Sequence, residues 1–541
     1  MTDAAITDPV PRDAPGALEI GFTLPERYNA SAILFDNLAA GRGDRLAVTG
    51  PAGTRTYAEL AADTSRFGAG LLSQGAQRGD RVLLFLDDTP AYPAALFGAI
   101  LAGLVPVLTN TLTPSELLQF YLSDSGATLA VCDAAFADRF NRMALEGTKL
   151  DTLLLVNGEG GADAPVKALA AAQWLAGPAT ALDAADTHRD DMAFWMYSSG
   201  STGRPKGIVH LQHDMAYTHL SYARHLLRLT QDDICFSVPK IFFAYGLGNS
   251  ITFPFSVGAS CLLLPGQPKP AAIFDCIARY RPTVFFGLPT LYTALTKAPE
   301  TKTADLGSLR LSVSAAEVLS AEVFNAWKAI SGLEIMEGLG STEVLHIYLS
   351  NTPEKRKLGA AGKPVPGYEV KLTDSTGRET ADGEEGVLSV RGDSSAPCYW
   401  NRPDKTAETM REGGWIYTGD RFVRDSDGFH FFRGRADDLV KVSGQWVYPL
   451  EVELCLADHP SVRECAVLAV EQADGLTALK AFVVLTDGRP GSDATTRSLQ
   501  DYIKGRLLPY KYPRLVAYLD ELPKTGTGKI DRQALLGAHA V

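Results

Sequence analysis

The sequence predicts an α/β fold in two unequal parts. Residues 1–434 would form a large N-terminal domain, with two parallel-sheet α/β subdomains and a β-rich subdomain, and residues 435–541 a small α+β domain. Three observations carry this. From about Ile33 onward, short apolar runs alternate with helical patterns, and apolar strands separated by helices imply parallel sheets covered on both faces. After about Gly359 the chain turns to Gly- and Asp-rich punctuation between short strands. From Val440 a mixed helix and strand pattern returns over about a hundred residues, enough for a separate domain. A chain of 541 residues is also too long for one hydrophobic core.

The elements follow in order. Arg81–Leu86, Leu129–Cys132 and Thr152–Val156 read as buried strands of a first sheet. The longest apolar stretch, Ala91 to Leu108, contains Pro93, Gly98, Gly103 and Pro106, so a helix passing into a strand near Gly103 explains it better than a membrane span. Residues 157–190, rich in Ala, Gly and Asp, read as a surface connection. Phe236–Pro239, Ala259–Leu264 and Pro282–Phe286 repeat the strand theme for a second sheet. Thr373–Gly377 and Asp425–Gly428 are turns of the β-rich part. In the last part, Val447–Asp458 and Ser498–Leu508 read as helices, and Ala466–Ala473 and Leu479–Leu485 as strands. The short polar stretch Gly434–Asp438 is the natural hinge.

Composition narrows the function. Formal net charge is −12, from 51 basic and 63 acidic side chains, with no long basic run, which argues against a nucleic-acid partner. Seven cysteines, at 132, 235, 261, 276, 398, 455 and 465, are scattered without a C-x-x-C pair, which favours a reducing compartment over a disulfide framework or zinc site. The N-terminal residues are acidic where a secretory signal would be basic. A cytoplasmic protein without membrane insertion is expected; a monomer and a homodimer both stay open.

The chemistry concentrates in two loops. Tyr197-Ser-Ser-Gly-Ser-Thr-Gly-Arg-Pro-Lys-Gly207 joins glycines, which let backbone N–H groups turn toward an anion, to the hydroxyls of Ser198, Ser199, Ser201 and Thr202 and the charge of Lys206. Pro523-Lys-Thr-Gly-Thr-Gly-Lys-Ile530 repeats this character near the other end of the chain. Neither is a P-loop: Gly207 follows Lys206, while Pro523 stands at the first glycine position and Ile530 follows Lys529. Three further motifs lie between them. Gly338-Leu-Gly-Ser-Thr-Glu343 reads as a tight turn presenting Thr342 to a phosphate and Glu343 to magnesium, which takes few protein carboxylates. Thr418-Gly-Asp420 offers a carboxylate able to bind two ribose hydroxyls, and Arg435 a second ribose or phosphate contact.

In this order the motifs YSSGSTGRPKG, GLGSTE, YTGD, GRADDLVKVSG and PKTGTGKI resemble the acyl- and aryl-adenylating superfamily over nearly the whole chain, from Ile33 to Leu536. Within it, Lys240–Asn249, Gly338–Asn351 and Pro509–Arg514 are similar to benzoate-CoA ligases. The resemblance implies an enzyme that joins a carboxylate to AMP, releases pyrophosphate, and passes the acyl group to coenzyme A, with ATP and Mg2+ as cofactors and an aromatic carboxylate as substrate. It implies that Lys529 bridges carboxylate and α-phosphate, that Glu343 holds magnesium, and that Thr342 touches the α-phosphate. The loop 198–207, Gly200 included, would cradle the departing phosphates. Asp420 and Arg435 would hold the ribose, and Ser314-Ala315-Ala316-Glu317 with Gly338, Leu339 and Gly340 would line the nucleotide; Leu339 stands where many relatives carry an aromatic. The small domain would be mobile, pivoting at Asp437 between the two steps so that Lys529 leaves and Lys441, Ser443, Gly444 and Trp446 enter, with Gly444 lining the pantetheine tunnel.

By the same resemblance the acid pocket is walled by Phe243, Ala244, Tyr245, Gly340, His346 and Ile347. Small Ala244 and Gly340 beside the aromatics suit a flat ring. His346 could bond the substrate or sit satisfied in the core. His210 and His213 have a loosely metal-like spacing but lack further ligands. Three alternatives stand beside the ligase: a stand-alone adenylating enzyme loading a separate carrier protein, an oxidising light emitter on the same fold, and a nucleotide-binding regulator without turnover.

Overall fold

The computed structural model describes residues 20–158, 165–175, 181–198, 205–436, 440–442, 445–447, 449–472, 477–486, 488–524 and 530–538. Their first sheet has seven strands, in the order Lys167–Ala170, Thr152–Val156, Leu129–Asp133, Arg81–Phe85, Val105–Leu108, Met192–Ser198, Lys206–Leu211. Neighbours run parallel except the last pair, which is antiparallel. The second sheet has nine strands; those from Leu46–Thr49 through Ser260–Leu262, Ile234–Ser237, Val284–Gly287 and Leu311–Ser314 to Ile335–Gly340 are parallel, and both edges are antiparallel. The two expected parallel sheets are therefore mixed. A short connection can join only antiparallel strands, and hairpins close these edges.

Ala91–Leu101 is a helix with every residue but Ala91 buried, and Val105–Leu108 a buried strand; Gly103, at φ +76°, makes the turn between them. This helix packs so closely on Tyr57–Ser73 that a Cβ on Gly98 would stand 2.8 Å from the Thr64 carbonyl oxygen. Among the described residues no helix is long and apolar enough to cross a membrane. The expected surface connection 157–190 needs correction. Lys167–Ala170 is the edge strand of the first sheet, because alternating small apolar residues suffice to pair with Thr152–Val156.

Residues beyond Gly359 build a five-stranded sheet whose pairings are all antiparallel, from Glu369–Thr373, Glu385–Arg391, Met410–Arg411, Trp415–Arg424 and His430–Arg435. Arg435 ends the last strand, opposite Asp420. The C-terminal part has its own core around Val442, Val452, Val467, Leu479 and Ile503. Its described residues include a three-stranded sheet of Val462–Glu471, Thr477–Leu485 and Leu515–Tyr518, and helices at Pro449–Ala457, Asp493–Lys504 and Arg532–Ala538. The second of these helices starts earlier than expected because Ser492 caps it, accepting from the Thr495 N–H at 3.1 Å.

Candidate active site

Two buried strands flank the first glycine-rich loop. Ser198 and Lys206 sit opposite each other at the open end of the hairpin Met192–Ser198 and Lys206–Leu211. Ser199, Gly200, Ser201 and Thr202, between them, lie outside the described residues. The Lys206 ammonium is 4.2 Å from the ring centroid of Tyr399. Burial lowers its pKa, and nearby Glu343 pulls the other way.

The second motif differs from expectation. Gly338, Leu339 and Gly340 are not a tight turn but the end of the strand Ile335–Gly340, paired with Ile347–Ser350. Gly340 is required by close approach: a Cβ there would stand 2.4 Å from the His346 carbonyl oxygen. The turn comes next, as one 3-10 turn over Thr342–Val344, followed by Leu345 at φ 69°, ψ −33°. Each of its three carbonyls is tied from outside. His210 Nε2 donates to that of Thr342 at 2.8 Å, the Ala396 N–H to that of Glu343 at 2.7 Å, and Ser394 Oγ to that of Val344 at 2.8 Å. The Glu343 carboxylate accepts from the Tyr399 hydroxyl at 2.8 Å.

The two residues expected at the ribose, Asp420 and Arg435, lie against each other. Arg435 Nη1 lies 3.2 Å from Asp420 Oδ1. Thr418–Asp420 lies within a strand rather than a simple turn, and Gly419, at φ +73°, leaves room for the Arg435 guanidinium, 3.0 Å from where a Cβ would be. Ser314 ends its strand buried, and Ala316 adopts φ 74°, a conformation rare without glycine. Glu317 turns its carboxylate to the Thr290 N–H at 3.1 Å, at the start of the helix Pro289–Lys297. Leu339 faces Leu349 across the sheet.

The pocket motif opens a helix. Phe243 caps Ala244–Leu247, which widens into a π-helical turn, Gly248–Thr252, before Phe253–Val257; such wide turns recur at functional sites. Lys240 anchors its start, 2.8 Å from Asp87 Oδ1 and 2.7 Å from the Leu264 carbonyl, which ties the two α/β subdomains together. The imidazole of His346 is enclosed by rings of Tyr222, Tyr245 and Phe253 at centroid distances of 5.3, 5.5 and 4.4 Å. Burial lowers its pKa to about 3, so the ring is neutral at physiological pH. Neither ring nitrogen reaches a partner within ordinary hydrogen-bond geometry, although the Tyr245 backbone lies near enough to offset part of the desolvation. The Tyr245 hydroxyl and the Asn249 amide are buried in the same position, near one another without a well-formed bond. His346 is thus buried but not satisfied. Ile347 is buried against Gly338 and Gly340.

In the C-terminal part Lys441 and Trp446 are paired across a short hairpin, Val440–Val442 with Gln445–Val447. Ser443, Gly444, the hinge residue Asp437 and Lys529 lie outside the described residues. On either side of Lys529 the chain is held by an antiparallel bridge between Lys524 and Ile530 and by the Asp531 N–H on the Pro523 carbonyl at 2.7 Å.

Sequence reasoning missed Tyr399, Asn249 and Tyr348, whose hydroxyl is pushed to a higher pKa first by burial and then by the nearby charges of Asp420 and Glu343. A tyrosine before a tryptophan carries no signal of its own. Asn249 could have been found as an amide inside an apolar helical pattern. His210, first weighed only as a metal ligand, instead bonds the Thr342 carbonyl; among the described residues no group of three or more His, Cys, Asp or Glu could hold a metal.

Residues 35–400 match the AMP-binding enzyme family and residues 451–529 the AMP-binding enzyme C-terminal domain. The benzoate–CoA ligase of Thauera aromatica is 42% identical over 518 residues, 95% of this chain and 97% of the relative. A crystal structure of the anthranilate CoA ligase AuaEII with anthranoyl-AMP superposes with TM-score 0.89 at 36% identity, covering 95% of this chain and 98% of that one. One of a benzoate CoA ligase from Burkholderia xenovorans gives TM-score 0.86 at 39% identity, covering 94% and 99%.

Proposed function

Because the chain belongs to the AMP-binding enzyme family, we propose that it is an AMP-forming ligase joining an aromatic carboxylate to coenzyme A. One observation carries the site assignment: Lys206, Tyr399 and Glu343, drawn from three distant stretches, converge within single contacts of one another. The substrates are of benzoate type, with hydroxy- and aminobenzoates as the close variants; relatives named for benzoate and for anthranilate support this range.

A carboxylate oxygen attacks the α-phosphorus of ATP, the bond to the β-phosphate oxygen breaks, and pyrophosphate leaves. The deprotonated thiol of coenzyme A then attacks the acyl carbon, and AMP leaves. The first step brings two anions together, so positive charge between them lowers its barrier most. We assign that charge to Lys529, and to the loop 198–207 with Lys206 the cradling of the departing phosphates. Thr342 would donate to the α-phosphate, and Asp420 and Arg435 would hold the ribose. One carboxylate, Glu343, fits a magnesium ion that keeps waters and phosphate oxygens in its shell; it would hold the ion, which when bound neutralises phosphate charge. The pocket of Phe243, Ala244, Tyr245, Gly340, His346 and Ile347 would orient the ring, and Lys441, Ser443, Gly444 and Trp446 would line the thiol's path after rotation about Asp437. The scattered cysteines, all unpaired, favour the cytoplasm.

The test is a screen of pyrophosphate release across aryl and alkyl carboxylates, with and without coenzyme A. Aryl acids should dominate, with AMP and the aryl thioester accumulating only when the thiol is present. Preference for a medium-chain fatty acid over every aryl acid would sink the substrate class.

A further inference from the structure

We propose that His210 is a positioning residue for nucleotide activation: secured by Asp214, it holds the Thr342 carbonyl and so aims the Thr342 hydroxyl and the Glu343 carboxylate at the phosphates. This rests on the adenylating role given above to the Thr342–Glu343 turn.

His210 lies one residue before the end of a strand of the first sheet, whereas Thr342 begins a turn of the second, and no solvent reaches the imidazole. Its Nδ1 is 2.8 Å from Asp214 Oδ2 and its Nε2 2.8 Å from the Thr342 oxygen. A carbonyl can only accept, so Nε2 carries the proton of that bond, while Nδ1 meets the Asp214 carboxyl. The ring stacks on Phe194, with centroids 5.0 Å apart and planes 20° from parallel, which removes its freedom to tilt.

The surroundings fix Asp214 in turn. Its Oδ2 also accepts from the Leu211 N–H at 3.0 Å, and its Oδ1 is 3.2 Å from His213 Nε2. His213 reaches the other side of the same turn: its Nε2 donates to the Asp393 carbonyl at 2.7 Å, and the next residue, Ser394, bonds the Val344 carbonyl. The charged groups around the pair are Asp190 and Arg189, from the segment before the strand Met192–Ser198, and Asp393. His210 and Ser394 therefore hold the first and last carbonyls of one turn.

The turn needs such a grip. Leu345 follows it in a sparsely populated conformation, and strain of that kind persists only where the surroundings over-determine the backbone. Without the imidazole the Thr342 carbonyl would lose its side-chain donor, and the turn would relax away from the phosphates.

The test uses the full-length enzyme and carboxylate-dependent ATP–pyrophosphate exchange, with KM measured separately for MgATP and for the acid, per folded molecule. His210→Leu is expected to lower kcat/KM for MgATP by about a hundredfold, the cost of misplacing a reacting group by ~1 Å, while the KM of the acid stays unchanged. His210→Gln, whose amide can still meet the carbonyl, should recover about tenfold. Asp214→Asn, nearly equal in volume, should reproduce the MgATP defect even if His210→Leu does not fold. Full exchange by Asp214→Asn, or equal defects in Gln and Leu variants spread over both substrates, would reduce His210 to packing and overturn the role. A wild-type enzyme without exchange on any carboxylate would overturn the adenylation itself, and this role with it.

Discussion

The Tyr399 hydroxyl donates to Glu343 Oε1 at 2.8 Å across 56 residues of sequence, while its ring faces the Lys206 ammonium at 4.2 Å. One side chain thus spaces the cation of the first glycine-rich loop from the carboxylate proposed to hold magnesium. A neutral aromatic can do this without a salt bridge that nucleotide binding would have to break.

Tyr399→Phe keeps the ring under Lys206 and removes the hydroxyl that donates to Glu343, together with its interaction with Thr409. A hydrogen bond to a charged group contributes about 1.5–3 kcal/mol, so kcat/KM for MgATP should fall roughly 10- to 100-fold, with little change in melting temperature. Steady-state kinetics with MgATP varied at saturating acid decide it; wild-type values would show that the hydroxyl does not position Glu343.

Gly248→Ala should act on the acid alone. Its Cβ would stand 2.4 Å from His346 Cδ2 and 2.7 Å from Nε2, so the imidazole must shift. We expect kcat/KM for the preferred aryl acid to drop by roughly tenfold or more, with the KM of MgATP intact. An equal loss on both substrates would point to a damaged fold rather than a reshaped pocket.

Lys529→Ala should separate the half-reactions. Acyl-AMP formation would be abolished, whereas thioester formation from supplied acyl-AMP and coenzyme A would survive, because Lys529 would have left the site before the thiol attacks. Equal loss of both steps would refute the bridging role.

Two buried histidines should shape stability against pH in opposite senses. Burial disfavours charge on His213, but bonding to Asp190 and the charges of Asp214 and Asp393 win, and its pKa rises to about 9. Its contribution is complete below the ordinary histidine value of about 6.5 and is lost as pH rises toward 9. His346, held neutral with a pKa near 3 by burial, costs nothing above pH ~6.5, and stability falls as pH drops below that, where the unfolded chain takes up the proton first. Urea unfolding of His213→Gln between pH 6 and 9.5 should lack the wild-type decline; a parallel decline would remove His213 from the account.

The sequence by itself determined the strand runs, the two glycine-rich loops, the order of the motifs and hence the family. These signals are local: an apolar run, a glycine beside a hydroxyl or a lysine declares its chemistry within a few residues. Gly338–Gly340 shows the limit, since its glycines read as a turn but serve a strand pressed against the His346 backbone. Only the tertiary structure decided that Tyr399 meets Glu343, that His210 meets Thr342 across 132 residues, and that His346 is buried among rings with its nitrogens poorly met. Such pairings depend on how two sheets and an antiparallel subdomain pack, and the residues involved carry no local periodicity that would reveal their partners.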